Sequence, residues 1–411
     1  MSREDYLDDV LTLAEEKKCL LVQWPTGFGK TKCALEILNK YIIDNTLFPD
    51  ILVVIPKLVL IDSWKDEITK WLGEDKIRYF TFTTYVSFYK YAGQHYDAIV
   101  FDECHHFTDN CLTAMKTISY ERVIALSATV KKEPRQRLYA AIPSLWYCRV
   151  STRRAIDEDI LPDPTVFLVP LSLKDVPGTF TYVRNAKGKK CFRVSYESRG
   201  MYQKTYPKPR LELICTATQY YEAVNEDMQK FKNLFNSTQQ MWAMNLYKNT
   251  AGQRLKWLSE IKTPLVKDIL PQLEDYRTLT FCSTIAQTEE LGKNTIHSKN
   301  KEGLANLEKF NKGEENHITA VAVLNEGVNL SSCQVGIFAG LNASEIMVKQ
   351  RLGRLLRHRH PLIILPYFVG TRDEEIVNKM KEDYNPDLTK YVYADKVNEE
   401  IRKFIKDETD N

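Results

Sequence analysis

The sequence contains no run of about 18 or more apolar residues, so no segment is expected to span a membrane. Its first residues, Met1 to Val10, are acidic and have neither the basic start nor the apolar stretch of a signal peptide. No C-x-x-C pair occurs among the nine cysteines, which are scattered singly. An odd, dispersed set argues against a disulfide framework or a zinc site and for reduced thiols in a cytoplasmic setting. Cys104, His105 and His106 are adjacent, but neighbours on one loop rarely converge on a single ion. Nor is there an excess of one charge: 57 basic residues face 54 acidic ones, a formal +3. That balance permits a polyanionic partner without demanding one. Internal repeats and low-complexity tracts are missing. So is any second cluster of carboxylates that would suggest a fused nuclease.

What is present is enough apolar sequence for two cores: 411 residues, 44% of them hydrophobic. Two stretches alternate short apolar strands with amphipathic helices, the pattern of a parallel sheet covered on both faces. In the first, Leu20–Gln23, Ile51–Ile55, Ala98–Phe101 and Val123–Leu126 are the strands, separated by helices such as Lys32–Ile43 and Ile61–Trp71. In the second, strands are expected near Thr278–Phe281, Thr319–Val323, Val335–Phe338 and Leu362–Pro366, with helices at Ala286–Lys293, Lys301–Asn311 and Ile346–Leu356. Between them, prolines at 162, 164, 170 and 177 break the chain. Val183–Arg184 and Cys191–Tyr196 then read as a hairpin around Asn185-Ala186-Lys187-Gly188, and Thr218 to Ile261 reads as helical.

The first strand runs into Trp24-Pro25-Thr26-Gly27-Phe28-Gly29-Lys30-Thr31 and then a helix, the context a phosphate-binding loop requires. Main-chain N–H groups of Thr26 to Thr31 are expected to cradle phosphate, helped by the helix N-terminus. Lys30 is expected to reach the outer phosphates and the Thr31 hydroxyl to hold Mg²⁺. Trp24 stands where the general pattern has glycine. Downstream, the apolar run Ala98–Phe101 ends in Asp102-Glu103-Cys104-His105. Asp102 at a strand tip is placed to hold Mg²⁺, and Glu103 to orient and deprotonate the attacking water. Ser127-Ala128-Thr129 follows the next strand, Thr83-Thr84-Tyr85 precedes the acidic one, and Ile55-Pro56-Lys57 ends the second. In the later half, Asn325-Glu326-Gly327-Val328-Asn329 follows a strand, and Gln350-Arg351-Leu352-Gly353-Arg354-Leu355-Leu356-Arg357 fits Q-x-x-G-R-x-x-R on a helix. Arg354 and Arg357, three residues apart, share a helix face from which guanidinium groups can fork onto phosphate.

These motifs, in this order, resemble a superfamily 2 helicase of the DExH kind, similar to phage recombination helicases and restriction-enzyme motor subunits. The resemblance spans about residues 20–130 and 265–370. It implies two RecA-like parallel-sheet domains in tandem: 1–150 binding ATP and 263–395 completing the motor. Residues 151–262 form an inserted hairpin-and-helix segment attached to the second, and 396–411 a charged tail. It implies a nucleic-acid-dependent ATPase working as helicase or translocase, with an ATP-gated binding switch as the alternative. Catalysis would fall to Lys30, Asp102, Glu103, Gln350, Arg354 and Arg357. Gly327 and Asn329 would join the phosphate loop in holding ATP. His105, Ser127 and Thr129 would couple ATP state to movement, with His105 facing Gln350. Lys57, Thr84, Tyr85, Ser283 and Thr284 would touch nucleic acid. Such a chain is expected to act as a cytoplasmic monomer on DNA ahead of RNA, single-stranded or branched, and on no membrane. Two departures stand out. The tract Arg3-Glu4-Asp5-Tyr6 carries no glutamine where relatives read adenine, and Asn329 replaces an aspartate.

One expectation comes from the residues alone. The insertion, Tyr182–Arg210, carries nine basic residues against the single acid Glu197, interleaved with Tyr182, Phe192, Tyr196, Tyr202 and Tyr206. Basic groups that follow phosphates and aromatics that stack on bases suit a single-strand platform, with Lys187, Lys189 and Lys190 at its tip.

Overall fold

The computed structural model describes residues 2–185, 191–195, 201–204, 210–321, 333–341 and 358–409. The first sheet has six parallel strands: β1 (Cys19–Gln23), β2 (Ile51–Ile55), β3 (Phe80–Thr84), β4 (His95–Phe101), β5 (Ser119–Ser127) and β6 (Trp146–Arg149), ordered β3-β2-β4-β5-β1-β6. All five residues of β1 and of β2 are buried, as continuous apolar strands must be when both sheet faces are covered. Leu20, Val22, Ile51 and Val53 pack in the core on one face, and Leu21, Leu52 and Val54 in the core on the other. The helices are α1 (Arg3–Glu16), α2 (Lys30–Tyr41), α3 (Leu60–Trp71), α4 (Asp109–Met115), α5 (Lys132–Ala141) and α6 (Thr152–Asp157). α1 starts on a reciprocal cap: Ser2 Oγ accepts from Asp5 N, and Ser2 N donates to Asp5 Oδ2 at 2.6 Å. β1 feeds α2 through the phosphate-loop motif, and β4 delivers Asp102, so both motifs lie at the C-terminal ends of parallel strands.

The second sheet has seven strands, all paired parallel. They are β7 (Thr165–Leu171), β12 (Thr278–Cys282), β13 (Thr295–Ile296), β14 (His317–Val321), β15 (Val335–Phe338), β16 (Leu362–Phe368) and β17 (Thr389–Tyr391), ordered β13-β14-β12-β15-β16-β7-β17. β7 comes from the proline-marked stretch after the first sheet and lies between β16 and β17. Pro170 fits because β17 pairs only with Val166 to Leu168, leaving no ladder partner for it on that side.

The insertion departs from the sequence expectation. Its sheet, formed by β8 (Phe180–Asn185), β9 (Cys191–Ser195), β10 (Met201–Lys204) and β11 (Arg210–Cys215), is ordered β10-β9-β11-β8. β8 and β9 are therefore not a hairpin, because β11 lies between them, antiparallel to β8 and parallel to β9. Packing explains the order. Tyr182 of β8 and Leu213 and Cys215 of β11 share one core with Ala223, Val224 and Met228 of α7 (Ala217–Thr238), which keeps those two strands together beneath the helix. α7 and α8 (Met241–Glu260) divide the expected helical stretch at Gln239, which adopts the left-handed conformation that ends helices. Among the described residues, no helix is long and apolar enough to cross a membrane.

Candidate functional site

The loop after β1 is shaped by two glycines with positive φ, Gly27 at 83° and Gly29 at 103°, a conformation that other residues rarely adopt. Between them Phe28 turns inward, 2% exposed, its ring against Trp24 at 5.0 Å and Tyr6 at 5.4 Å. Phe28 thus brings main chain rather than its ring to a ligand. Trp24 is likewise core, which accounts for a bulky residue at a position that usually carries glycine. Tyr6 closes the arrangement: its hydroxyl donates to Glu158 Oε2 at 2.7 Å, and Arg154 Nε holds the same side chain at 2.9 Å.

Beside this loop lies a cavity of about 500 Å³ lined by residues of the phosphate loop, Trp64, Asp102 and Glu103. Lys30 Nζ donates to the Trp24 and Pro25 carbonyls at 3.2 and 3.3 Å. Burial pulls its ammonium below the ordinary lysine range, opposed by the charges of Glu103 and Asp102. Thr26 Oγ1 is buried with no hydrogen-bond partner among the described residues, an acceptor-donor that a phosphate oxygen would satisfy.

Asp102 is held at both oxygens: Oδ2 accepts from Trp64 Nε1 at 2.9 Å, and Oδ1 from the Glu103 N–H at 3.0 Å. Burial, reinforced by the Glu103 charge, pushes its carboxyl up to about 6, while the Trp64 bond and Lys30 act the other way. Glu103 has a φ of 48°, left-handed and costly for a residue other than glycine. Its carboxylate meets Ser127 Oγ, which donates to Oε2 at 3.3 Å, and His105 Nδ1, also 3.3 Å away. His105 Nδ1 lies 3.1 Å from Ser127 Oγ, and Thr129 N donates to the same hydroxyl at 3.3 Å. Motifs 24 residues apart in sequence therefore form one polar cluster.

Magnesium suits this donor set. Among the described residues, no three His, Cys, Asp or Glu side chains converge as a dedicated metal cage. Mg²⁺ does not need one, since it binds through one or two carboxylates together with substrate phosphates and water. Asp102 and the Thr31 hydroxyl line the same cavity, and a carboxylate has more acceptor positions than its two present bonds use.

The candidate nucleic-acid contacts divide. Lys57 is exposed and Thr84 half-buried, at the ends of the neighbouring strands β2 and β3. Tyr85 takes a different place: it is 6% exposed, and its hydroxyl donates to the Asp102 carbonyl at 2.7 Å. The exposed apolar residues at this edge are Leu58, Val59, Val86 and Tyr89. Ser283 and Thr284 are half-buried at the end of β12, where Thr284 Oγ1 caps the following helix by accepting from Gln287 N. Gly327, Asn329, Gln350, Arg354 and Arg357 lie outside the described residues, as do Lys187, Lys189 and Lys190. Sequence reasoning missed Trp64, since a single aromatic on an amphipathic helix reads as core.

Residues 3–132 match the family described as "Type III restriction enzyme, res subunit", and residues 261–359 match "Helicase conserved C-terminal domain". The chain is 25% identical over 410 residues to the DNA 3'-5' translocase XPB2 of Sulfurisphaera tokodaii, covering 92% of this chain and 84% of that protein. Its fold is similar to the Hef helicase domain of Pyrococcus furiosus, with a TM-score of 0.51 and 15% identity over 91% of this chain and 97% of that one. It is also similar to Dbp5 of S. cerevisiae bound to RNA and ADP BeF3, with a TM-score of 0.57 and 11% identity over 94% of this chain and 89% of the other. With the restriction-enzyme res-subunit model and the helicase C-terminal model matched in order on two parallel sheets, and a phosphate loop facing paired carboxylates, this chain belongs to the superfamily 2 helicases, ATPases that act on nucleic acid.

Proposed function

We propose that the chain is a DNA motor that hydrolyses ATP at the β1–α2 loop and uses the cycle to move along, unwind or remodel DNA, acting as a monomer on single-stranded or branched substrates. The observation that carries this reading is the meeting of Lys30, Asp102 and Glu103 across one cavity. Support for DNA over RNA, and for a 3'-5' direction, comes from the XPB2 relative.

Lys30 exchanges two long carbonyl bonds for oxygens of the outer phosphates, and Thr26 Oγ1 gains a partner there. Thr31 and Asp102 would hold Mg²⁺, which when bound supplies positive charge opposite the phosphates. Glu103 takes the proton of the attacking water, aimed by its strained backbone and by Ser127 and His105. Because Ser127 also meets Thr129, a change at Glu103 reaches the loop after β5. Lys57 and Thr84 on the first sheet and Ser283 and Thr284 on the second grip the DNA backbone. Gly327 and Asn329 help hold the nucleotide. Gln350, Arg354 and Arg357 complete catalysis, where an arginine finger is worth roughly 10³–10⁵ in rate.

Nucleotide binding and ATP turnover, measured with single-stranded DNA, duplex DNA, branched DNA and RNA, test this. Lys30→Ala is expected to lose nucleotide binding. Glu103→Gln is expected to bind ATP normally and to stop hydrolysing it. Near-normal turnover by the Glu103 variant, or stimulation by RNA alone, would overturn the proposal.

A further inference from the structure

Two cavities adjoin at the phosphate loop and share Arg3 and Gly27. Lys30 marks where phosphates sit, and the carboxylates it faces lie beside Trp64. The terminal phosphate belongs at that end, which leaves the opposite end, against α1, for the nucleoside. The second cavity, of about 850 Å³, adds Asp159, Ile160, Pro162, His358 and Arg359 beyond Arg3, and the wall on the α1 side consists of Arg3, Glu4 and Leu7.

These side chains have a definite hydrogen-bonding character. Arg3 only donates, ionised Glu4 only accepts, and Leu7 does neither. The Arg3 guanidinium is oriented by its Nη2, which donates to the Ile160 carbonyl at 3.1 Å, and it carries further N–H groups on the same planar fork. Adenine places a donor, its N6 amino group, beside the N7 acceptor, so an amide that both gives and takes selects it. Among the described residues, no asparagine or glutamine lines either cavity. A donor-only guanidinium matches N7 of either purine and, in guanine, O6 as well. An acceptor-only carboxylate matches the adenine amino group or the N–H groups of guanine.

We propose that Arg3 and Glu4 are base-specificity residues that admit guanine as well as adenine, so that the chain hydrolyses GTP about as efficiently as ATP. This rests on the nucleotide site proposed above. The test is steady-state hydrolysis by the full chain with single-stranded DNA present, comparing ATP, GTP and 7-deaza-GTP. GTP and ATP are expected to agree in kcat/KM within roughly threefold, whereas 7-deaza-GTP, lacking the N7 acceptor, falls by roughly tenfold. Arg3→Met should lower GTP efficiency more than ATP efficiency. Glu4→Gln, by supplying an amide, should raise the ratio of ATP to GTP. A wild-type preference for ATP above roughly thirtyfold, or a 7-deaza substitution without effect, overturns the assignment while leaving the ATPase intact. Failure to hydrolyse any nucleotide overturns the ATPase reading itself and this one with it.

Discussion

Both oxygens of Asp102 accept hydrogen bonds within the protein, and the bond from Trp64 is the one contributed by a side chain. That indole fixes which way the carboxylate faces and favours its ionised form against burial and the Glu103 charge. A hydrogen bond to a charged group is worth about 1.5–3 kcal/mol. Trp64→Phe keeps the ring in the core, where Trp64 is 3% exposed, and removes only the donor. Its ATP turnover is expected to fall roughly ten- to a hundredfold, and its melting temperature by a few degrees, because the same bond is lost from the folded state. Steady-state kinetics beside thermal unfolding check it; turnover equal to the parent would remove Trp64 from the site. The contrast with Lys30, Asp102 and Glu103 shows what a sequence can disclose at this scale. A phosphate loop must be contiguous because neighbouring main-chain N–H groups converge on one ligand, and paired carboxylates at a strand tip are adjacent for a similar reason. A residue that orients a carboxylate needs only to arrive there in space. Trp64 stands 38 positions before Asp102, on a helix whose amphipathic pattern accounts for it without reference to the site. Tyr85 shows the converse. It occupies a motif position implied to touch nucleic acid, but at the register where β3 ends it turns inward beneath Asp102.

Strand tips carry the same lesson one level up. β12 and β15 are neighbours, and the chain leaving β15 crosses the chain leaving β12 so closely that only glycine fits. A Cβ at Gly340 would stand 2.7 Å from the main-chain nitrogen of Ser283 and 2.5 Å from its hydroxyl. Gly340 N also donates to the Phe281 carbonyl at 2.7 Å. Gly340→Ala must therefore displace the Ser283–Thr284 turn, at a cost of about 1–3 kcal/mol, as for other overpacked sites. Weaker DNA binding with ATP binding preserved is the expected result, measured by DNA titration beside nucleotide titration. Unchanged DNA affinity would take Ser283 and Thr284 out of the proposed grip. Elements of this kind were legible where they are continuous and apolar, as β1, β2, β4 and β5 are. They were hidden where pairing is decided from far away. β7 became visible only through its partners, because prolines argue against a strand unless a neighbour leaves their positions unpaired. β8 and β9 looked like a hairpin because a short turn joins them in sequence, but the helix above draws β11 between them.

Across the whole molecule, a further matter is how the insertion is fastened to the second sheet. Trp257 and Leu258 of α8 share a core with Phe368 at the end of β16. Ser259 Oγ donates to Gln287 Oε1 at 2.6 Å, and Gln287 Nε2 returns a bond to the Ser259 carbonyl at 2.6 Å. Gln287 Oε1 also accepts from Ser283 N at 3.3 Å, which ties α8 to the proposed DNA contact on that sheet. Tyr221 of α7 accepts from Arg372 N at 2.8 Å. A further tie is ionic: Lys262 Nζ and Asp373 Oδ2 are 2.6 Å apart, with side chains 0% and 1% exposed. Burial pulls the Lys262 ammonium below its ordinary range, and the Asp373 charge opposes that shift. Removing one member of such a pair strands a charge in the core, whereas replacing both with apolar residues of similar size often costs little. Lys262→Met is accordingly expected to destabilise the second sheet by about 3–5 kcal/mol, and the double variant Lys262→Met with Asp373→Leu to recover most of that loss. Denaturant unfolding of the full chain, followed through the second sheet's transition, measures both. The functional consequence separates from the energetic one. If the insertion moves with the second sheet, the double variant keeps its ATPase and its DNA translocation together, because the apolar contacts and the Gln287 bridge still hold α8. If the ion pair alone sets the angle of α8, the double variant hydrolyses ATP at the parent rate but displaces a DNA triplex more slowly. The first outcome is expected, since several independent contacts join these elements and the pair is only one of them. Slow triplex displacement at full ATPase would show that the pair, and not the surrounding core, positions the insertion.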